Sequence, residues 1–190
     1  MPRIQQLLIP AVLLGCLTVI FVTNLVYQPE KGNAAFLSNN DVNTSTQAGS
    51  SSNCSIAASY PAAVKQWCGL IDNYAQEQNL DPDLIAAVIL DESGGNAQAY
   101  SSSGAVGLMQ VMPRDGLAAD FTCGSNPCFS SRPSMNELYD PEYNLSYGVR
   151  MLGSLYRKYG NVRDALLAYG PSNVGYYYAD SVLGVYSRYK

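Results

Sequence analysis

A carboxylate stands out first, at a position where a charge is out of place. Ile85, Val88, Ile89 and Glu92 fall at i, i+3, i+4 and i+7, the spacing that lines side chains along one face of a helix. Glu92 therefore continues an apolar stripe. An unpaired carboxylate buried there costs several kcal/mol, so the group must find a partner or raise its pKa and keep its proton near neutrality. A protonated carboxyl group at the edge of a cleft is what protonation of a glycosidic oxygen requires. The alternative on periodicity alone is that Glu92 marks the helix end and points into solvent. Asp91 lies about 100° round the helix and reads as a solvated or capping residue. The sequence has no histidine, which removes the commonest metal ligand and the usual base of a serine or cysteine nucleophile. No metal or organic cofactor is expected.

The elements that must position Glu92 are helical. Asp81-Pro82 is an N-cap followed by proline at the first helical position; the helix runs through Leu84, Ile85, Val88 and Ile89, and Glu92 to Asn96 ends it. A second such start, Asp140-Pro141, opens a helix carrying Leu145, Val149 and Leu152 that closes at Gly160. Val64, Trp67, Cys68 and Ile71 predict one helix from Tyr60 to Gln78. Further helices are expected near Asn161 to Tyr169 and Val174 to Tyr189, with a C-terminal hairpin as the alternative to the last. No strand pair with hairpin chemistry is visible, and the domain is read as mainly α.

The 190 residues carry a formal net charge of -4, so no basic surface is available to neutralise phosphates and a nucleic-acid partner is excluded. The fifteen tyrosines against four phenylalanines and one tryptophan suit wet surfaces where a flat ring must also hydrogen-bond, sugar grooves among them. Residues 4–27 form an apolar segment, with Arg3 before it and Glu30 and Lys31 after it. Its uncharged run of about twenty residues can cross a bilayer core of roughly 30 Å. The reading is a signal anchor with residues 1–3 in the cytoplasm. Signal cleavage near Gly32 to Ala35, and lipidation at Cys16, are the competing readings. Residues 28–53 form a flexible polar linker, and residues 54–190 the folded domain. Cys54, Cys68, Cys123 and Cys128 make an even set consistent with export. Two disulfides are expected, pairing Cys54 with Cys68 and Cys123 with Cys128, although four cysteines allow three connectivities and buried free thiols are the alternative.

After Glu92, the strings Glu92-Ser93-Gly94-Gly95-Asn96, Ser103 to Pro113 with its Gly107-Leu108-Met109-Gln110 core, Tyr139 to Leu145, and Ala168-Tyr169 together resemble the catalytic domain of the soluble lytic transglycosylases. The resemblance covers roughly Ala63 to Tyr189. It implies a lysozyme-like α fold, as in goose-type lysozyme, with Glu92 as the catalytic acid, Met109 and Gln110 lining the saccharide site, Tyr169 touching Glu92, and Ser93 near the substrate. The substrate would be peptidoglycan glycan strands outside the cytoplasm, cleaved at the MurNAc to GlcNAc β-1,4 bond. A hydrolase of the same fold and a non-catalytic wall-binding module are the alternatives. One departure stands out. The family's Ala-Tyr-Asn is here Ala168-Tyr169-Gly170, with a turn about two residues shorter.

Overall fold

Both Asp-Pro dipeptides start helices in the computed structural model, which describes residues 54–190. Asp81 is extended and its side chain accepts from the Asp83 N–H at 2.9 Å, Pro82 takes the first turn, and a left-handed Gly94 closes the helix. Leu84 to Ile89 are all buried, which makes this helix apolar on nearly every side. Asp140 caps a longer helix by accepting from the Tyr143 N–H at 2.7 Å. That helix ends at Gly160, with Arg157 and Lys158 in its last turn, where positive charge suits the helix dipole.

In chain order the helices are α1 (Ala62–Lys65), α2 (Cys68–Gln78), α3 (Pro82–Ser93), α4 (Met135–Leu138), α5 (Pro141–Tyr159), α6 (Val162–Tyr169) and α7 (Tyr177–Tyr189). α3 packs against α1, α2 and α7, while α5 packs against α2, α4 and α6. Ile71, Ile85, Ile89, Leu108, Leu145, Leu152 and Leu166 fill the space between them. The C-terminal segment after Val174 is helical, so its valines and tyrosines form no hairpin.

Two expectations are corrected. The single helix expected from Tyr60 to Gln78 breaks at Trp67, whose indole N–H donates to the Gly95 carbonyl at 2.9 Å. A β-carbon at Gly95 would lie 2.2 Å from the Ala63 carbonyl oxygen, so α1 lies directly on the turn that ends α3, and that contact outweighs local continuity. A hairpin is also present: β1 (Thr122–Cys123) pairs antiparallel with β2 (Asn126–Pro127). Gly124 supplies the positive φ of the turn. The pair is only two residues long on each side, too short to show alternation, and a disulfide between Cys123 and Cys128 clips it. The second disulfide joins Cys54 to Cys68 at the start of α2. Among the described residues no helix is long and apolar enough to cross a membrane. The anchor expected at residues 4–27, with the end at 1–3 and the linker at 28–53, lies outside the described residues.

Between α3 and α5 runs an irregular buried segment, Val106 to Val111. Its chain reversal brings the Val106 and Val111 backbones into reciprocal hydrogen bonds at 3.0 Å. The fully buried Asn144, on α5, supplies what the segment lacks. Its Oδ1 accepts from the Met109 N–H at 2.9 Å, and its amide donates to the Val106 and Leu138 carbonyls at 2.8 and 2.9 Å. A β-carbon at Gly107 would fall 2.2 Å from that amide nitrogen, so glycine is required there. Asn144→Ala strands the Met109 N–H and the Leu138 carbonyl, while the Val106 carbonyl keeps the Val111 N–H; each stranded group costs about 1–3 kcal/mol when buried without a partner. Urea unfolding should show a loss of at least about 2 kcal/mol; a loss under about 1 kcal/mol would mean the amide is dispensable.

Candidate active site

Glu92 occupies the last turn of α3, partly buried, behind the Ile85, Val88 and Ile89 stripe. Its Oε1 accepts a 2.7 Å hydrogen bond from the Tyr178 hydroxyl at the start of α7. Burial pushes the Glu92 carboxyl up to about 7; the Tyr178 hydrogen bond pulls it down, and the charge of Asp91 adds a smaller upward push. Near neutral pH the group is therefore divided between acid and base. Burial, then the charge of Glu92, raises the Tyr178 hydroxyl, so it stays a neutral donor.

Tyr178 was not singled out in the sequence, where it sits inside the run Tyr176-Tyr177-Tyr178. Its place depends on Gly170. A β-carbon at Gly170 would lie 2.3 Å from the Tyr178 ring. The departure at the Ala168-Tyr169-Gly170 turn thus makes room for the ring that reaches Glu92. The signal was the glycine itself, readable only once its neighbour in space is known.

Tyr169, expected at Glu92, makes no hydrogen bond to it. The Tyr169 hydroxyl donates to the Met109 carbonyl at 2.8 Å, while its ring stacks on Tyr178 with centroids 6.3 Å apart. Burial, then the charge of Glu92, holds its hydroxyl well above the usual phenol range. Ser93 turns its hydroxyl to backbone, donating to the Leu108 carbonyl at 2.8 Å and accepting from the Gly95 N–H at 3.2 Å. Met109 is fully buried with its sulfur against Gly148. Gln110 has a left-handed backbone, φ 45°, and its amide donates to the Gly107 and Ala99 carbonyls at 2.9 and 3.3 Å. Ser93 and Tyr169 thus both bond the Leu108-Met109 backbone, and their hydroxyls and the Gln110 amide nitrogen are taken up by main-chain carbonyls. Asp91 is exposed and accepts from the Ser181 hydroxyl at 2.7 Å. Among the described residues no cluster of three or more histidine, cysteine, aspartate or glutamate side chains could hold a metal. A cavity of about 160 Å³ lined by Leu80, Asp81, Leu84, Tyr156, Leu183 and Tyr186 lies at the opposite end of α3 and has no part in this site.

Residues 69–179 match the family model described as the transglycosylase SLT domain. The chain is 33% identical over 101 residues to the membrane-bound lytic murein transglycosylase E of Buchnera aphidicola, covering 53% of this chain and 44% of that one. It is 36% identical over 104 residues to a transglycosylase of Enterobacteria phage PRD1, covering 55% of this chain and 34% of the phage protein. Against the endo-type membrane-bound lytic murein transglycosylase A of Klebsiella pneumoniae the identity is 40% over 91 residues, 47% of this chain and 43% of that one. The matched part spans less than half the length of each of these relatives.

The raised carboxyl group makes stability depend on pH with a definite sign. Between its ordinary value of 4.5 and about 7, the folded chain holds a proton that the unfolded chain has lost. The contribution of Glu92 to stability therefore falls as pH rises through that window. Glu92→Gln, which keeps an acceptor for Tyr178, should gain on the wild type from about pH 5 upward, by at most about 3 kcal/mol near pH 8, and should show no gain below about pH 4. Thermal unfolding across pH reads this, and a pH-independent difference would mean an ordinary carboxylate. Tyr178→Phe removes the influence that lowers the carboxyl, so an NMR titration of Glu92 should show its pKa rising further; a fall would contradict the arrangement.

Proposed function

Because the chain belongs to the transglycosylase SLT domain family, whose model matches more than half of it, we propose that it is a peptidoglycan lytic transglycosylase with a lysozyme-like fold and Glu92 as its one catalytic carboxyl group. The observation that carries this reading is the single carboxyl group lifted to about 7 by burial and held by Tyr178. In the proposed reaction Glu92 protonates the oxygen of the MurNAc to GlcNAc β-1,4 bond as that bond breaks. The substrate's own N-acetyl oxygen stabilises the cationic carbon. The ionised Glu92 then takes the proton of the C6 hydroxyl of the same muramyl residue. That oxygen closes onto the anomeric carbon, and Glu92 regains its proton with no water consumed. One group serving as acid and then base has no need of the second carboxylate most glycosidases carry, and a pKa near the working pH suits both roles.

Tyr178 orients the acid in this scheme. Ser93, Gln110 and Tyr169 hold the wall opposite the glycan, with Met109 beneath them. Two disulfides support an oxidising compartment, and in this reading the domain works on the periplasmic or cell-wall side, tethered through residues 4–27. The partner is the glycan strand itself.

Incubating the full chain with purified sacculi tests the reading. Soluble fragments should end in 1,6-anhydro-MurNAc, each one water lighter than the hydrolysed product; the heavier product would make the protein a hydrolase. Glu92→Gln should cut fragment release by at least about a hundredfold, and unchanged release would remove Glu92 from the chemistry. Since the free protein must present a protonated Glu92, kcat/KM should decline as pH rises through about 7.

A further inference from the structure

The disulfide-clipped hairpin leads into a cation that the chemistry above does not use. Arg132 is half-buried, and its guanidinium lies 5.3 Å from the centre of the Phe129 ring. Phe129 is in turn 6.0 Å from Phe121, and the Cys128 N–H donates to the Phe121 carbonyl at 2.8 Å. The platform under the guanidinium is thus tied to the hairpin and its Cys123–Cys128 bond. The Arg132 backbone is held at both ends: its N–H donates to the Phe129 carbonyl at 2.9 Å, and its carbonyl accepts from the Arg114 guanidinium at 3.2 Å. The next residue, Pro133, accepts from the Arg114 N–H at 2.9 Å. This stretch therefore lies alongside the chain that leaves Met109 and Gln110.

Ion pairs among the described residues join Arg114 to Glu137, Arg163 to Asp180 and Lys190 to Asp81; Arg132 is in none of them. A guanidinium seated on an aromatic face keeps its fork of donors free for a planar anion. Its charge reaches the site. The buried Tyr169 hydroxyl is pushed up by burial and by Glu92 and pulled down by Arg132. Glu92 itself answers to burial, Tyr178 and Asp91. The half-buried guanidinium, seated on Phe129 beside the stretch that follows Gln110 and in no ion pair, has its donors available to a substituent of the substrate.

We propose that Arg132, braced on Phe129 by the clipped hairpin, is a specificity-determining residue that binds a carboxylate carried by the muramyl residue. The assignment rests on the substrate class proposed above and deepens it. Such a carboxylate has two sources, the lactyl group when it bears no peptide and the acidic residues of a peptide stem when it does. Bidentate guanidinium to carboxylate pairing serves either.

The test uses the full chain carrying Glu92→Gln, so that binding is read without turnover, with and without Arg132→Gln and Arg132→Lys. Calorimetry is run against three probes: a GlcNAc-MurNAc peptide, the same disaccharide with a free lactyl group, and an uncharged chitooligosaccharide. Arg132→Gln should weaken a carboxylate-bearing probe by about tenfold and leave the uncharged one within about twofold, with Arg132→Lys recovering part of the loss. Loss confined to the peptide probe assigns a stem carboxylate, loss confined to the free-lactyl probe assigns the lactyl carboxylate, and loss with both shows that the guanidinium takes whichever carboxylate the muramyl residue carries. Equal loss on charged and uncharged probes, or no loss on any, overturns the assignment. A chain that shows the Arg132-dependent binding yet releases nothing from sacculi as wild type would keep this assignment and lose the catalytic one.

Discussion

Buried backbone must be hydrogen-bonded, and the segment from Gly107 to Gln110 has no regular structure to do it. Its polar groups are met instead by side chains from three helices. Asn144 on α5 takes the Met109 N–H, Ser93 on α3 gives its hydroxyl to the Leu108 carbonyl, and Tyr169 on α6 gives its own to the Met109 carbonyl. Each bond left unmade would cost about 1–3 kcal/mol, so the three helices are held in one arrangement around one loop. That arrangement places the acid. Ser93 is the neighbour of Glu92, and Tyr169 stacks on the Tyr178 ring that reaches Glu92. The geometry at the carboxyl group follows from satisfying a loop.

The same constraint explains how far the site was legible in the sequence. Glu92 is flagged by a conflict in the periodicity, a carboxylate in an apolar stripe, and the motif strings that follow it turn that flag into a site. The resemblance implies Ser93 near the substrate and Tyr169 at the carboxyl group, whereas both send their hydroxyls to main-chain carbonyls. A hydroxyl's partner is not written in its spacing. Tyr178 was missed for a related reason, since its contact depends on the absent β-carbon of Gly170, eight positions away and on the other side of a turn. Once Gly170 is seen against the ring, the shortened turn becomes the feature that admits Tyr178.

Element boundaries followed local chemistry where local chemistry was strong. Asp81-Pro82 and Asp140-Pro141 start helices, and Gly94 and Gly160 end them. The helix expected across Trp67 failed because an indole to carbonyl bond 28 residues away redirects the chain. The hairpin at Thr122 to Pro127 escaped because two-residue strands carry no alternation, and its closure owes more to Gly124 and the Cys123–Cys128 bond than to strand propensity.

Two carboxyl groups at opposite ends of α3 show what decides the chemistry. Asp81, at the N-terminal end, is pushed up by burial, but hydrogen bonds from Lys190, Tyr186 and the Asp83 N–H together hold it below its ordinary value. The positive end of the helix dipole favours the same ionised state. Glu92, at the C-terminal end, meets burial with only one neutral phenol donor, an acidic neighbour and the negative end of the dipole. One helix thus carries a carboxylate that serves structure and a carboxyl group that keeps its proton. The difference lies in the presence of a cation. Bringing a lysine within hydrogen-bonding reach of Glu92 would turn it into a second Asp81, better paired and unable to donate. A cation in this site is useful only where it can meet the substrate's charge without meeting the acid's.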